Sequence, residues 1–391
     1  MTASAEKLKN RDVLVDSVRG FALLGIVLVN IHYFGVSSSD GWFGADMSTT
    51  ENQLGAITTS GLFLAKFYLL FSFLFGYSST YVVKGRPENK KRWIKRSFVL
   101  IAFGALHAVF LFQGDILFVY GLLGLLLWIF MFRKDSSLRR WAIFLYVLTA
   151  LGMILVTAAA FLADMFEPIT KEEFLTSSRL DELMLSGNFL EQAFARAELW
   201  VTLLPGILIL QGPLVFVAFL IGLMAGRNSA LSSDNFTDSL ANRLMAYGLG
   251  IGIPLQVLMG RLMAWTFADE VFSFGLFMLS TAVIFLTGGL VSAGIIGVIG
   301  KLVLRGRKLE ILSSAGKNSL SIYLGQSLLL VILFSGWGFG LFGQTNLSIN
   351  LLIGFLVWLV LSLLAVVSIR AGKRGPMETV LTNLSSTKKV R

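Results

Sequence analysis

The sequence predicts an all-α membrane protein: a single polytopic transmembrane helix bundle over residues 1–391, with about ten transmembrane helices and both termini in the cytoplasm. Hydrophobic residues make up 55% of the chain and charged residues only 14%, whereas a soluble domain carries roughly 25% charged residues. The apolar residues occur in runs of roughly 20, the length that crosses a hydrocarbon core as a helix. The short alternating segments of a membrane β-barrel are absent.

The apolar runs place the helices near residues 13–35, 60–83, 96–113, 116–132, 141–163, 202–226, 243–265, 272–298, 319–342 and 348–370. The long connection 164–201 is extracytoplasmic and acidic, with apolar residues at helical spacing. It is expected either as an amphipathic helix at the outer interface or as a solvated linker. Residues 371–391 form a basic cytoplasmic tail. The polar N-terminal segment lacks a cleavage site, so the first helix is expected to remain in the mature protein.

The positive charge of the chain lies on one side of the predicted bundle. The chain has 33 Lys and Arg against 23 Asp and Glu, for a formal net charge of +10. Most of the basic residues fall in the segments assigned to the cytoplasm, whereas the opposite segments are mainly acidic. This asymmetry is the positive-inside pattern, and a basic cytoplasmic surface faces anionic lipid. Membrane lipids are therefore the expected partners, and nucleic acid is not.

The chain contains no cysteine. Disulfide scaffolds, thiolate metal sites and cysteine nucleophiles are therefore excluded. The sequence predicts no metal site and no bound cofactor, and it does not indicate an oligomeric state.

Several polar side chains fall inside the predicted helices, where each needs a partner or a cavity. The topology places one group at a similar depth near the outer side: Asn30, His32, Lys66, His107, Asp115, Gln211 and Arg261. His107 is either a structural, hydrogen-bonded imidazole or a general base or proton carrier. Lys66 and Arg261 either extend to the headgroups or bind a substrate anion, and Lys66 can also meet Asp115. Ser72 lies near the middle of the second helix.

A second polar group lies toward the cytoplasm. Asp16 and Arg19 are three residues apart on one helix face, where they form either an ion pair or part of a ligand site. The ninth helix begins at Ser319, after Lys317 and Asn318, and such a helix start is suited to phosphate but is also ordinary capping chemistry. The candidate substrate-binding residues of both groups are Asp16, Arg19, Asn30, Lys66, Ser72, Arg261, Lys317, Asn318, Ser319 and Gln326.

Five segments together resemble the YeiB-like family of bacterial multi-pass membrane proteins, a family with a domain of unknown function. They are VDSVRGFALLGIVLVN (15–30), KFYLLFSFLFGYS (66–78), HAVFLFQGDILFVYG (107–121), AGKNSLSIYLGQS (315–327) and RGPMETVLTNL (374–384). The family is distantly similar to integral-membrane acyltransferases. The resemblance implies the inner membrane of a bacterium, acyl-CoA as a cytoplasmic donor substrate, and a cell-envelope saccharide or lipid as the acceptor on the far side.

The chain departs from those acyltransferases at their catalytic histidines. One branch has a histidine where this chain has Asn30, and another has one in a loop corresponding to 36–59, which contains none. The resemblance therefore leaves His107 as the candidate catalytic base, with Asp115 as its orienting acid. The two are eight residues apart, or about 12 Å along a continuous helix. Direct contact requires the chain to turn back at residues 113–114, which Gly114 permits.

The sequence leaves three functional hypotheses open. An acyltransferase uses His107 as the base and the cytoplasmic cations for the donor phosphates. A transporter of a small solute or lipid-linked substrate uses His107, Asp115 and Lys66 as a proton-coupled site, and the Gly, Pro and Gln residues mark interrupted helices. In a structural or lipid-organising protein the same polar residues hold helices together.

Overall fold

The computed structural model describes residues 3–269 and 272–386, with side chains from Val13 onward, and the regular elements among them are all helical. The longer α-helices are α1 (Ala3–Asn30), α2 (Thr50–Thr58), α3 (Lys66–Val83), α4 (Lys90–Phe110), α5 (Leu117–Leu127), α6 (Asp135–Phe166), α7 (Arg179–Ser186), α8 (Phe189–Gly206), α9 (Gly212–Arg227), α10 (Asp238–Met245), α11 (Ile253–Ala268), α12 (Phe274–Leu304), α13 (Glu310–Lys317), α14 (Ser319–Phe334), α15 (Leu347–Arg370) and α16 (Pro376–Ser385). Short helical turns lie at His32–Gly35, Gly41–Gly44, Pro87–Asn89, Trp128–Phe130 and Lys171–Phe174, and π-helical segments at Thr59–Phe63, Ile207–Gln211 and Ala246–Gly252.

The predicted class, an all-α polytopic bundle, is confirmed. Among the described residues, eight helical stretches are long and apolar enough to cross a membrane: Val13–Gly35, Thr50–Val83, Pro87–Phe110, Asp135–Phe166, Phe189–Arg227, Asp238–Ala268, Phe274–Leu304 and Leu347–Arg370. The pair α13 and α14, bent by 90°, makes a ninth if it counts as one span.

The count differs from the predicted ten in two places. The predicted helix 116–132 is the apolar stretch Leu117–Phe130, which is shorter than the roughly 20 residues that cross a bilayer. The predicted helix 319–342 ends at Phe334, and the sharp bend between Lys317 and Ser319 makes α14 one arm of a broken element rather than a straight span.

The predicted loop 164–201 is shorter in the structure, because α8 begins at Phe189 rather than near residue 202. Asn188 caps that helix, its side chain accepting hydrogen bonds from two backbone N–H groups. Within the remaining loop, α7 buries Leu180 and Met184 against the bundle. The apolar side of this segment therefore packs on protein. At the other terminus, residues 376–385 of the predicted tail form α16, while residues 387–391 of that tail lie outside the described residues.

The helices α3 and α9 pack closely against each other. A Cβ added at Gly222 would overlap the carbonyl oxygen of Phe73, and one at Gly76 would overlap the carbonyl oxygen of Phe219. Helices in lipid approach this closely only where small residues let the backbones meet. The glycines therefore hold α3 firmly beside α9, and α3 carries part of the candidate site.

Two helices are interrupted at the same level of the bundle. Before α3, Ala65 has a left-handed backbone conformation with φ of +70°, and the preceding turn is π-helical. Between α8 and α9 the segment Ile207–Gln211 is also π-helical and follows Pro205. Proline removes a helical hydrogen bond, and single π-helical turns recur at functional sites. Both interruptions border the outer cavity described below.

The in-or-out orientation of the chain is a prediction that cysteine labelling tests, since the protein has no cysteine of its own. Ser136, Ser177 and Ser386 are exposed. In intact cells a cysteine at Ser177 should react with an impermeant thiol reagent, while cysteines at Ser136 and Ser386 should react only after the cells are opened. Labelling at Ser386 from outside would contradict the cytoplasmic position of the C-terminus.

Candidate functional site

His107 and Asp115 are in direct contact. Nδ1 of His107 lies 2.7 Å from Oδ2 of Asp115, and both side chains are almost completely buried. A carboxylate at Nδ1 makes that nitrogen the protonated one and leaves Nε2 as the basic nitrogen. Nε2 is buried and has no hydrogen-bond partner among the described residues. The imidazole is therefore oriented by Asp115, and the lone pair of its Nε2 meets no donor among the described residues.

The chain reaches this geometry by ending α4 three residues after His107. The carbonyl oxygen of His107 accepts hydrogen bonds from the N–H groups of Leu111 and Phe112, which closes the helix. The following turn brings Asp115 back beneath the imidazole, as a turn at residues 113–114 requires. Oδ1 of Asp115 then accepts the N–H of Phe118 at 2.7 Å. One carboxylate thus starts α5 with one oxygen and orients His107 with the other.

Tyr323 of α14 completes this cluster. Its ring centroid lies 4.9 Å from that of His107, and its hydroxyl interacts with the Asp115 carboxylate. The backbone N–H of Ile116 points to the same hydroxyl at 3.4 Å. These contacts of Tyr323 therefore hold α14 against the turn that carries Asp115.

A cavity of about 250 Å³ lies beside the cluster and is lined by Asp115 and Tyr323; we call it the outer cavity because the predicted topology places it near the outer side. Polar lining also comes from Asn30 at the end of α1, Gln113 and Gln211. His107 is not part of this lining, so Asp115 and Tyr323 stand between the imidazole and the cavity. Of the predicted outer group, the structure brings together Asn30, Asp115 and Gln211 at the cavity, with His107 behind them.

The loop between α1 and α2, which contains Ser38, Ser39 and Asp40, is held beside the same cavity by hydrogen bonds. Nε2 of Gln113 donates to the Ser38 carbonyl oxygen at 2.6 Å, and the Ser38 N–H donates to Asp181 of α7 at 2.6 Å. Ser39 lines the cavity. Asp40 lies in this loop too, and burial raises the pKa of its carboxyl, partly offset by a hydrogen bond from Ser39. The loop and α7 thus form the outer cover of the site.

A smaller cavity of about 60 Å³ lies on the other side of Tyr323 and is lined by Arg96 and Ser319. Ile26, Ile116 and Tyr323 line both cavities. Three side chains therefore form the partition between an outer chamber and a second chamber that contains an arginine.

Lys66 is not part of the outer cavity. Its side chain is completely buried, and Nζ donates to the carbonyl oxygens of Ser60 and Leu64, both at 2.9 Å. These carbonyls come from the interrupted turn before α3. Lys66 therefore stabilises the break in the helix, neither extending to the headgroups nor meeting Asp115.

The predicted ion pair between Asp16 and Arg19 is confirmed, with Nη1 of Arg19 3.0 Å from Oδ1 of Asp16. Arg19 also donates to Ser78 of α3 at 2.7 Å and to the Gly316 carbonyl oxygen of α13 at 3.4 Å. The pair therefore links three helices, and neither residue lines the two cavities.

The remaining candidates are dispersed. Ser72 shares a hydrogen bond of 2.7 Å with the hydroxyl of Tyr120, and Gln326 donates weakly to the Leu23 carbonyl oxygen at 3.4 Å. Both are buried helix contacts that do not line either cavity. Arg261 is exposed on α11, away from the cavities. His32 contacts Thr59 at 2.9 Å, which agrees with a structural role.

The helix start at Ser319 holds a carboxylate of the protein itself. Oε1 of Glu378, on α16, accepts the N–H groups of Leu320 and Ser321 at 2.6 and 3.2 Å. The position for which the sequence left phosphate binding or ordinary capping open therefore holds an anion of the chain itself, because a helix N-terminus favours any nearby anion. Asn318 is buried and accepts the Gly375 N–H at 2.7 Å. Lys317 is exposed.

Sequence reasoning missed Tyr323 and Glu378 as site residues. Both lie in segments that carry the family resemblance, SIYLGQS and RGPMETVLTNL. Neither residue stands out by composition, since a tyrosine in a helix and a glutamate in a basic tail are common. The resemblance of these two segments to the family was therefore the sequence signal that could have pointed to Tyr323 and Glu378.

The chain is similar to a family of unknown function and to two uncharacterized bacterial proteins. A family model described as a protein of unknown function (DUF418) matches residues 225–388. The uncharacterized protein YxaH of Bacillus subtilis is 26% identical, over 93% of this chain and 92% of its own length. The uncharacterized protein YeiB of Escherichia coli is 35% identical, but the match covers 37% of this chain and 38% of YeiB. Over much of the chain, then, the similarity is to proteins whose names state no function.

The helical spans, with polar side chains enclosed between them, define a multi-pass integral membrane protein. Within that class, the chain is similar to YxaH over most of its length and to YeiB over part of it, and residues 225–388 match the DUF418 family model.

Proposed function

We propose that this protein is a membrane acyltransferase that moves an acyl group from cytoplasmic acyl-CoA to a hydroxyl of an envelope saccharide or lipid on the outer side. The observation that carries the proposal is the buried His107–Asp115 pair, in which Nε2 has no partner among the described residues. An imidazole oriented by a carboxylate is the arrangement that activates a hydroxyl in acyl transfer.

In the proposed reaction, Nε2 of His107 takes the proton of the acceptor hydroxyl as its oxygen bonds to the thioester carbonyl carbon. The carbon–sulfur bond then breaks, and the leaving thiolate of coenzyme A receives the proton from Nε2. Asp115 keeps the proton on Nδ1 and stabilises the imidazolium between the two transfers. Because Tyr323 packs on the imidazole and lines the cavity, its ring must move for the acceptor to reach Nε2.

The two cavities also support this proposal. An outer chamber and a second chamber containing Arg96 share Ile26, Ile116 and Tyr323. Donor and acceptor that approach from opposite sides would meet at this partition, next to His107. The basic cytoplasmic segments and the bacterial sources of the relatives support the bacterial inner membrane as its location.

The test compares acylation of envelope glycans and lipids, by mass spectrometry, in a deletion strain and in the same strain with the gene restored. The proposal expects an acylated species that disappears on deletion and returns on complementation. An identical acylation profile in both strains, with the protein detectably expressed, would refute the enzyme.

Transport of a small solute or lipid-linked substrate is the second candidate, and one observation favours it. Both helix interruptions, at Ala65 and at Ile207–Gln211, line the outer cavity, and transporters build substrate sites from discontinuous helices. An unchanged acylation profile, combined with proton-dependent accumulation of a substrate in proteoliposomes, would support this alternative.

A further inference from the structure

The lining of the outer cavity is mainly apolar. Its walls come from Ile26 and Val29 of α1, from Phe63 and Phe67 around the break before α3, and from Phe285 of α12. Cavities of this composition bind ligands through apolar surface, with a few polar groups that fix orientation. The cavity is therefore suited to a molecule with a substantial hydrocarbon part.

The polar groups of the cavity include two amides without a hydrogen-bond partner among the described residues. The side chains of Asn30 and Gln211 line the cavity and make no side-chain hydrogen bond to another described residue. The hydroxyl of Tyr68, a third lining residue, is buried and has no partner there either. Amides and hydroxyls donate and accept equally well, which matches the hydroxyl groups of a ligand.

The charged groups in and near the cavity limit the charge that a bound ligand can carry. Asp115 is the one charged side chain among the described lining residues. The nearby ammonium of Lys66 is committed to the carbonyl oxygens of Ser60 and Leu64. A phosphate or carboxylate buried here would meet a carboxylate and no free cation, which is strongly unfavourable. The cavity therefore favours an uncharged polar group.

The cavity has a side wall without close helix packing. Ile207, Gln211 and Phe285 line the cavity and are each only partly buried. The segment Ile207–Gln211 packs mainly on α8 and α9, and α12 packs mainly on other helices. A Cβ at Gly206 would meet no atom within 4 Å, and Ile209 is 71% exposed. The partly exposed side chains of Ile207, Gln211 and Phe285 therefore mark the wall of the cavity that faces the hydrocarbon of the membrane.

We propose that the outer cavity binds an uncharged, hydroxyl-bearing amphiphile, whose chain lies between Ile207 and Phe285 and whose head reaches Asn30 and Gln211. The inference rests on the proposed function in that this amphiphile would be the acyl acceptor, and it names the class of that acceptor. Entry from the membrane would bring the head to Asp115 without passage through water.

The test uses two photoreactive probes in lipid nanodiscs: dodecyl glucoside and dodecyl phosphate, each with a diazirine in the same chain. Peptide mass spectrometry locates the label. In the wild type the glucoside should label cavity peptides at least about tenfold more than the phosphate, because burying an unpaired charge is costly. Ile207→Trp should fill the wall and lower glucoside labelling severalfold. Ile209→Trp, two residues along and facing outward, is the matched control and should label normally.

A second variant tests the proposal even if Ile207→Trp does not fold. Gln211→Lys places a cation in the cavity and should shift the preference toward dodecyl phosphate. Equal labelling by both probes in the wild type would overturn the uncharged head, and equal glucoside labelling of Ile207→Trp and Ile209→Trp, both folded, would overturn the side entry. His107→Gln should bind the glucoside like the wild type, so loss of acylation with intact labelling separates failure of the proposed chemistry from failure of this site.

Discussion

Replacing His107 with glutamine should lower acylation of the envelope acceptor by about 10²- to 10⁴-fold, the usual contribution of a general base. Glutamine keeps a similar shape and can still hydrogen-bond to Asp115, but it cannot take a proton. The expected loss is large because Nε2 of His107 has no hydrogen-bond partner among the described residues, while Nδ1 holds the ring in place through its contact of 2.7 Å with Asp115. The measurement is the amount of acylated acceptor at equal protein expression.

The chain contains one other histidine, which makes a matched control. His32 is also completely buried, contacts Thr59 and does not line the outer cavity. His32→Gln should therefore retain acylation if it folds, as judged by thermal unfolding of both purified variants. Wild-type acylation by His107→Gln would remove His107 from the mechanism, whereas loss in both variants with intact folding would contradict the special role of the Asp115 pair.

Replacing Arg19 with alanine should destabilise the bundle by about 1–3 kcal/mol, the usual cost of removing one partner from partly buried hydrogen bonds. The change takes the guanidinium from Asp16, and it also removes the hydrogen bonds to Ser78 and to the Gly316 carbonyl oxygen. Three helices lose a shared contact at one point. Folded yield by size-exclusion chromatography and the midpoint of thermal unfolding in detergent would both fall.

Changing Asp16 and Arg19 together to leucine should recover part of this loss, because apolar residues replace a buried pair at little net cost. Arg305→Ala, at an exposed arginine just beyond α12, is the control and should leave the yield unchanged. Normal folding of Arg19→Ala combined with loss of acylation would instead assign Arg19 to a ligand.

The sequence by itself determined the class of this protein and the approximate place of its helices. Apolar runs and the one-sided distribution of Lys and Arg are local properties, and the membrane acts on each segment separately. The pair of Asp16 and Arg19 was also predictable, since three residues along one helix decide it. The contact of His107 with Asp115 could be predicted in part, because it needs only a turn at residues 113–114.

The tertiary structure decided everything that depends on which helices lie side by side. Lys66 binds backbone carbonyls at a helix break, and Glu378 fills the helix start at Ser319 from a segment 58 residues away. Tyr323 reaches His107 from a helix more than 200 residues later in the chain. Hydropathy carries no information about these contacts, because lipid is as apolar as the helix surfaces. Close packing and a few interhelical hydrogen bonds decide which helices lie side by side in the membrane.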